Sequence, residues 1–270
     1  MNTALKSVAT KATAIANTAS GHATLSNGPV SYTATGLDGA MSNRSGIQQR
    51  VAQVRQAALP DGFLPLSVMR SKRAFDVVAA AFGMLLVLPL FPLIALDIKL
   101  ESRGPVFFKQ LRIGQSLPKR TDIFMMIKFR TMANDAEKQS GPTLAKKNDV
   151  RITRVGRFLR KTRLDELPQF INVIRGDMSL IGPRPERPSF CRRLEREIPF
   201  FTDRTYGIKP GITGLSQVHQ GYDECLEDVK NKLGYDLAYT VSLTSVRSWL
   251  RADLTIVLST IKVMVLGRGQ

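Results

Sequence analysis

Two adjacent carboxylates, Asp165 and Glu166, stand in the stretch GRFLRKTRLDELPQF (Gly156–Phe170) directly after Arg154, Arg157, Arg160, Lys161 and Arg163. Arg151, Arg154, Arg157 and Arg160 recur every third residue, so on a helix they share one slowly drifting face. Such a face suits phosphate oxygens, which arginine grips bidentately. A carboxylate held among cations stays ionised, as a nucleophile or a metal ligand must. Two neighbouring carboxylates can also divide labour, one attacking or binding Mg²⁺ and the other moving a proton. The plainer reading is local: Thr162 followed by Asp165 resembles a helix N-cap, and acidic first turns complement the helix dipole. Lys128 and Arg130 in Lys128-Phe129-Arg130-Thr131 close an apolar run, and Arg184 lies between Pro183 and Pro185, which stiffen its backbone. These three cations read equally well as solvated surface charge.

The composition narrows the partners. Of 270 residues, 39 are Lys or Arg against 22 Asp or Glu, a net charge of +17, and 43% are hydrophobic. A wholly disordered or collagen-like chain is excluded. The charge points to nucleic acid, anionic membrane or phosphorylated substrates. Two cysteines cannot build a disulfide framework, which suits a reducing compartment, and two histidines with no Cys/His cluster argue against a zinc enzyme. Neither a Walker phosphate loop nor a GxGxxG turn is present, so nucleotide hydrolysis and dehydrogenase chemistry lack support. A nucleic-acid binder is disfavoured by the absence of any helix-turn-helix, RNA-binding strand motif or aromatic stacking platform.

The elements that must position these groups follow from patterning. Residues 1–60 are rich in Ala, Thr, Ser and Gly and are expected to be a disordered tail, with a mitochondrial-type presequence as the alternative. Within it, Gln48–Ala58 is a possible short helix before the Pro60-Asp61-Gly62 turn. No stretch of Met1–Asn43 is apolar for long enough to serve as a signal-peptide core. Val77–Leu96 is uncharged throughout, long enough to span about 30 Å of hydrocarbon. Pro89 and Pro92 inside it are expected to break the helix. Lys72 and Arg73 precede the run and Lys99, Arg103 and Lys109 follow it. Basic flanks prefer the cytoplasmic side, so a helix that enters, breaks and returns to the same face satisfies both observations; a kinked spanning helix is the alternative.

Beyond Gly104-Pro105, Val106–Ile113 and Ile123–Phe129 are expected as a β-hairpin. Ala136–Asp149 reads as a loop, Arg154–Arg175 as mainly helical, and Met178–Pro188 as a Gly/Pro loop. Ser189–Ile198 reads as a charged helix, Ile208–Val218 as a loop and Glu227–Leu243 as a polar helix. In the last helix Leu250, Leu254, Val257, Leu258 and Ile261 form a stripe that either packs in a core or lies on a membrane.

The strings SKRAFDVVAA, RGPVFFKQLRIG, IKFRTM, RITRVGRFLRKTRLDELPQFINVIRGDMSLIGPRP and IKPGITGLSQV together resemble the bacterial sugar transferases, monotopic polyprenyl-phosphate phosphoglycosyl transferases. The resemblance covers roughly residues 71–239 and leaves the tail outside it. It implies an α+β, mostly helical fold. A re-entrant (helix–break–helix) membrane segment at 61–103 would carry a small cytosolic catalytic domain at 104–270, with a β-hairpin and interfacial amphipathic helices. It implies transfer of a sugar-1-phosphate from a UDP-sugar to undecaprenyl phosphate at the cytoplasmic face of the bacterial inner membrane. In that scheme Asp165 attacks the β-phosphate, UMP leaves, and the lipid phosphate takes the sugar phosphate from a covalent aspartyl intermediate. Glu166 would assist proton transfer or positioning, Mg²⁺ would bridge Asp165 and the diphosphate, and Arg160, Arg184, Lys128 and Arg130 would contact phosphate or nucleotide. With a tail and one apolar segment before the catalytic part, a minimal form of the family is expected, in which a homo-oligomer stays possible. The rival reading is an inactive basic membrane-binding protein of the same fold.

Overall fold

The computed structural model describes residues 64–118, 120–134, 136, 149–220 and 226–265. The expected tail, the Gln48–Ala58 helix, the Pro60-Asp61-Gly62 turn and most of the 136–149 loop lie outside the described residues. In chain order the elements are α1 (Leu66–Val87), α2 (Leu90–Glu101), β1 (Phe107–Leu117), β2 (Arg120–Phe129) and α3 (Arg154–Thr162). A 3₁₀ turn (Leu164–Glu166), α4 (Gln169–Arg175), β3 (Ser179–Ile181), α5 (Pro188–Glu197) and a second 3₁₀ turn (Phe201–Thr205) follow. The chain continues through β4 (Gly211–Thr213), α6 (Leu215–His219), α7 (Leu226–Ser242) and α8 (Val246–Val265). The fold is mostly helical, with two small sheets.

α1 and α2 meet at 61° across Leu88-Pro89, and only the two together have the length and apolar character of a membrane segment. No single described helix does. The break belongs to Pro89, which cannot donate to the carbonyl one turn back. Pro92 does not take part: it falls in the first turn of α2, where backbone N–H groups have no intrahelical acceptor and a missing one costs nothing. Outward-facing Val78, Phe82, Leu85 and Leu86 on α1, and Leu93, Leu96 and Leu100 on α2, are exposed. The inner side of the pair is anchored. Arg73 donates to the Val173 and Ile174 carbonyls at the end of α4, at 2.5 and 2.8 Å, and Asp76 accepts the Leu180 N–H of β3 at 3.1 Å. Ala80 packs with Phe124, Met126, Val173 and Met178, while Ile94 and Ile98 of α2 pack with Phe129 and Leu159.

The hairpin is longer than its apolar core suggests, pairing Phe107 with Phe129 at one end and Leu117 with Arg120 at the other, with a bulge between Ile113 and Ser116. Asn172 of α4, wholly buried, locks onto it. Its Oδ1 accepts the Ile127 N–H at 3.0 Å and its Nδ2 donates to the Met125 carbonyl at 2.8 Å and to Asp177 at 3.0 Å.

Two stretches expected as loops hold a parallel pair instead: β3 lies against β4, Ser179 opposite Gly211 and Ile181 opposite Thr213. Three-residue strands are too short for an alternating pattern, and flanking Gly and Pro mask them. Glycine is required at this seam by space: a Cβ at Gly182 would come within 2.4 Å of the Lys209 carbonyl, and one at Gly211 within 2.1 Å of the Gly182 nitrogen. α7, polar in sequence, is central, burying Val229, Leu233, Ala238 and Tyr239. α8 reverses the core reading of its stripe. Leu250, Leu254, Val257, Leu258 and Ile261 all face outward, and the buried side is Trp249, Ala252, Asp253 and Ile256. Asp253 ties α8 inward, accepting from Tyr239 Oη at 2.7 Å and Trp249 Nε1 at 2.6 Å and pairing with Lys72 of α1 at 2.9 Å.

Asn172→Ala strips partners from two β2 backbone groups and is expected to cost about 3 kcal/mol, each orphaned buried group contributing roughly 1–3 kcal/mol. Thermal unfolding in detergent reads it as a clear drop in midpoint; an unmoved midpoint would mean that α4 does not brace the hairpin.

Candidate active site

The stretch from Arg154 to Arg175, expected to be mainly helical, is interrupted where the two carboxylates sit. α3 starts at Thr153, whose side chain accepts the Gly156 N–H at 2.9 Å, and ends at Arg163 in the left-handed region, φ 59°. Thr162 is therefore not an N-cap; its hydroxyl donates back to the Phe158 carbonyl at 2.9 Å. A non-glycine residue in that conformation is strained, and such strain clusters at functional positions. The reversal turns the chain inward, so the following 3₁₀ turn buries Asp165 and Glu166 to 7% and 8% exposure.

Glu166 is the clamped member of the pair. Its Oε1 lies 2.7 Å from Lys128 Nζ, 3.6 Å from an Arg184 nitrogen and 4.0 Å from an Arg163 nitrogen. Burial alone would raise its carboxyl, but Lys128 and Arg184 outweigh burial and hold it down to about 2. Burial lowers the Lys128 ammonium, with the Glu166 charge working against it. Asp165 behaves oppositely. Burial pushes its carboxyl up; Lys128 opposes the rise and the Glu166 charge adds to it. No described donor hydrogen-bonds the Asp165 carboxylate, so its oxygens remain available. The expectation that cations keep both carboxylates ionised holds for Glu166, whereas Asp165 sits on the less acidic side of its ordinary value.

The cations separate into two sets. Lys128 at the end of β2 and Arg184 in the Pro183–Pro185 loop converge on Glu166, and a buried pair places the loop. Arg204 donates to the Arg184 carbonyl at 2.8 Å and pairs with Asp236 at 3.0 Å, and Asp236 accepts the Ser216 hydroxyl at 2.8 Å. Arg160 donates to Thr131 Oγ1 at 2.9 Å and acts electrostatically on Asp165. Arg130 goes elsewhere. It is buried and donates to the Arg103 and Ser102 carbonyls at 2.6 and 2.8 Å, closing the end of α2 rather than reaching Glu166. The expected row of arginines also dissolves: Arg151 precedes α3 and pairs with Asp149 at 2.6 Å, and Arg154 and Arg157 are exposed.

Sequence reasoning missed Arg112 and Gln169; Arg163 was noted only as one member of the basic cluster before the carboxylates. Arg112 projects from β1 and braces the Arg184 loop by donating to the Pro185 carbonyl at 2.9 Å; burial and the nearby Arg184 lower it to about 10. A cavity beside Glu166 is lined by Arg112, Lys128, Gln169, Arg184, Met126 and Ile212. An arginine inside the apolar-rich strand segment was the one available signal for Arg112; Gln169 carried none beyond its closeness to the carboxylates.

The described residues contain no group of three or more side chains able to cage a metal ion. Mg²⁺ commonly binds through one or two carboxylates and completes its shell with water and substrate phosphate. An available carboxylate at Asp165 next to phosphate-binding cations fits that habit.

Glu166→Gln is expected to be destabilised by about 3 kcal/mol at pH 7, because a carboxyl lowered in the folded state stabilises it above the unfolded value. The advantage of the native glutamate should fade as pH falls from about 4.5 toward about 2. Urea midpoints of both proteins across that range measure it; a gap that does not depend on pH would contradict the clamp.

Comparison with known proteins identifies the family. A transferase from Aeromonas hydrophila, named UDP-N-acetylgalactosamine-undecaprenyl-phosphate N-acetylgalactosaminephosphotransferase, is 44% identical over 198 residues, 73% of this chain and 44% of that protein. The UDP-glucose:undecaprenyl-phosphate glucose-1-phosphate transferase of Caulobacter vibrioides is 42% identical over 208 residues, 75% of this chain and 73% of its own length. The exopolysaccharide production protein PSS of Rhizobium leguminosarum bv. phaseoli is 36% identical over 210 residues, 74% of this chain and 96% of its own. The chain thus spans less than half of the first relative and nearly all of the third. The family profile matches residues 67–267, from the first turn of α1 past the end of α8, and the chain belongs to the bacterial sugar transferase family.

Proposed function

We propose that the protein is a phosphoglycosyl transferase that moves a sugar-1-phosphate from a UDP-sugar to undecaprenyl phosphate, an early membrane step of exopolysaccharide or related glycan synthesis. The carrying observation is the asymmetry of the two carboxylates. Glu166 is committed to Lys128 and Arg184, while Asp165 is buried beside them with no hydrogen-bond donor on its oxygens among the described residues. Undecaprenyl phosphate and UDP-linked sugars appear in the names of the Aeromonas and Caulobacter relatives. Those names differ in the sugar, so the donor's hexose is left open.

In this reading an Asp165 oxygen attacks the donor's β-phosphorus. The bond to the bridging oxygen breaks, that oxygen leaves with UMP, and the sugar phosphate stays on Asp165 as an acyl phosphate. A phosphate oxygen of undecaprenyl phosphate then attacks the same phosphorus and returns Asp165 as a carboxylate, giving undecaprenyl-diphosphate-sugar. Phosphoryl transfer depends chiefly on positioning and on neutralising charge. Lys128, Arg184 and Arg160 supply that charge, and Glu166, kept ionised, orients Lys128 and Arg184 rather than carrying a proton. Mg²⁺ held by Asp165 and the diphosphate would supply further neutralisation.

Membrane attachment through α1 and α2 as a re-entrant hairpin is part of the same proposal, at the cytoplasmic face of the inner membrane. The exposed leucines and Phe82 of the bent pair, the outward stripe of α8, and basic residues at both ends of the pair support it.

Protein extracted in detergent, given a panel of UDP-sugars, Mg²⁺ and undecaprenyl phosphate, is expected to release UMP with at least one donor. Asp165→Asn should lower that release about 10³-fold or more, and chelation should abolish it. Equal release by the variant would remove Asp165 as nucleophile. No release from folded protein with any donor would leave the basic membrane-binding reading in its place.

A further inference from the structure

The face of the hairpin that carries Lys128 ends on an apolar side chain that the proposed transfer step does not use. Phe108 stands directly opposite Lys128 in the register of β1 and β2. The two side chains therefore leave the ladder on one face, with Cβ atoms about 5 Å apart. Lys128 turns its ammonium to Glu166, 2.7 Å away, whereas Phe108 is 42% exposed. The next pair on that face is Gln110 with Met126. Gln110 Oε1 is taken by Arg112 at 2.6 Å, and Met126 is buried. An exposed phenyl ring thus borders the charged site at the end of the hairpin.

On the other face, the same end of the hairpin joins the bent helix pair. Phe107 stacks on Phe129 at 5.3 Å between ring centres, and Phe91 of α2 packs against the two at 6.4 and 4.9 Å. Phe107 is exposed, as are Leu90 and Leu93, which flank Phe91 in the sequence; Lys109 is the charged neighbour on the Phe107 face. Exposed apolar groups thus run from α2 through Phe107 to Phe108, and the cations begin beside Phe108 with Lys128. A surface apolar at one end and charged at the other suits an amphiphile with an anionic head and a hydrocarbon chain. A UDP-sugar has no such chain. We propose that Phe108 is the first contact of the acceptor's isoprenoid chain, which leaves the site over Phe108 and Phe107 toward α2 while its phosphate lies beside Lys128. The inference rests on the transferase reading for the identity of the acceptor.

The test uses the full chain in detergent, with KM values for undecaprenyl phosphate and for the UDP-sugar. Phe108→Ser removes the ring; Phe108→Leu keeps an apolar surface. Leu111→Ser is the control, an exposed apolar residue of β1 on the face away from Lys128. Phe108→Ser is expected to raise the lipid KM about tenfold or more with the donor KM within about twofold, and Phe108→Leu to recover most of the loss. Leu111→Ser should leave both values near those of the native chain. In parallel, farnesyl phosphate bearing a diazirine in its first isoprene unit is irradiated with the native chain, and the label is expected at Phe107 and Phe108. An unchanged lipid KM in Phe108→Ser overturns the proposal. Equal rises in Phe108→Ser and Leu111→Ser overturn it too, since contact with bulk lipid or detergent would then be the cause. Label confined to α1 or α8 also overturns it, and decides the matter even if Phe108→Ser fails to fold. Label at Phe108 in a protein that releases no UMP from any donor would sink the transferase reading and leave a prenyl-phosphate site standing. UMP release without that label would sink this inference alone.

Discussion

A carboxylate as enclosed as Glu166 survives in charged form only if cations reach it, and they come from separate stretches of chain. Lys128 arrives near the end of β2, Arg184 on a proline-flanked loop, and Arg163 is the strained residue that ends α3. Most of the remaining architecture can be understood as holding those arrivals in register. Asn172 fixes the strand that carries Lys128 by satisfying its backbone. Arg204 and Asp236, buried together, fix the loop that carries Arg184. Removing the carboxylate would leave these supports holding like charges against one another, which makes Glu166 a folding element in its own right.

The same supports join the apolar helices to the site. Arg73 reaches from α1 to the last carbonyls of α4, the helix that begins with Gln169 and carries Asn172. Asp76, one turn further on, holds the strand leading into the Arg184 loop. The bent pair is therefore not an appendage tethered by a linker. Its inner face is continuous with the core beneath the carboxylates, through Ala80 on one side and Ile94 and Ile98 on the other.

How much of this was legible in the sequence depended on the range of the signal. The adjacent carboxylates, the hairpin and the break at Pro89 are local features, and each is found where residue type and spacing indicate. Pro92 failed as a second break because a proline's effect depends on its distance from the helix start, and that start was set by Pro89. The stripe on α8 has the periodicity of a core helix; only the packing of Trp249 and Ile256 reveals that the opposite side is the buried one. Arg130 looked equivalent to Lys128, two residues away, yet its partners are the Ser102 and Arg103 carbonyls just past the end of α2. Nothing local distinguishes an arginine that closes a helix from one that meets a substrate. The parallel pair of β3 and β4 was hidden for a different reason: its partners are thirty-odd positions apart and each strand is only three residues long.

That seam between β3 and β4 bears on how the site can diversify. Backbone touches backbone at Gly182 and Gly211, leaving no room for a side chain at either position. The end of the site that carries Arg184 is thereby closed to gradual remodelling: a substitution there must first separate two strands. Sequence change in this region has to be recorded on surfaces with slack, and the end that carries Arg184 behaves as a fixed chassis.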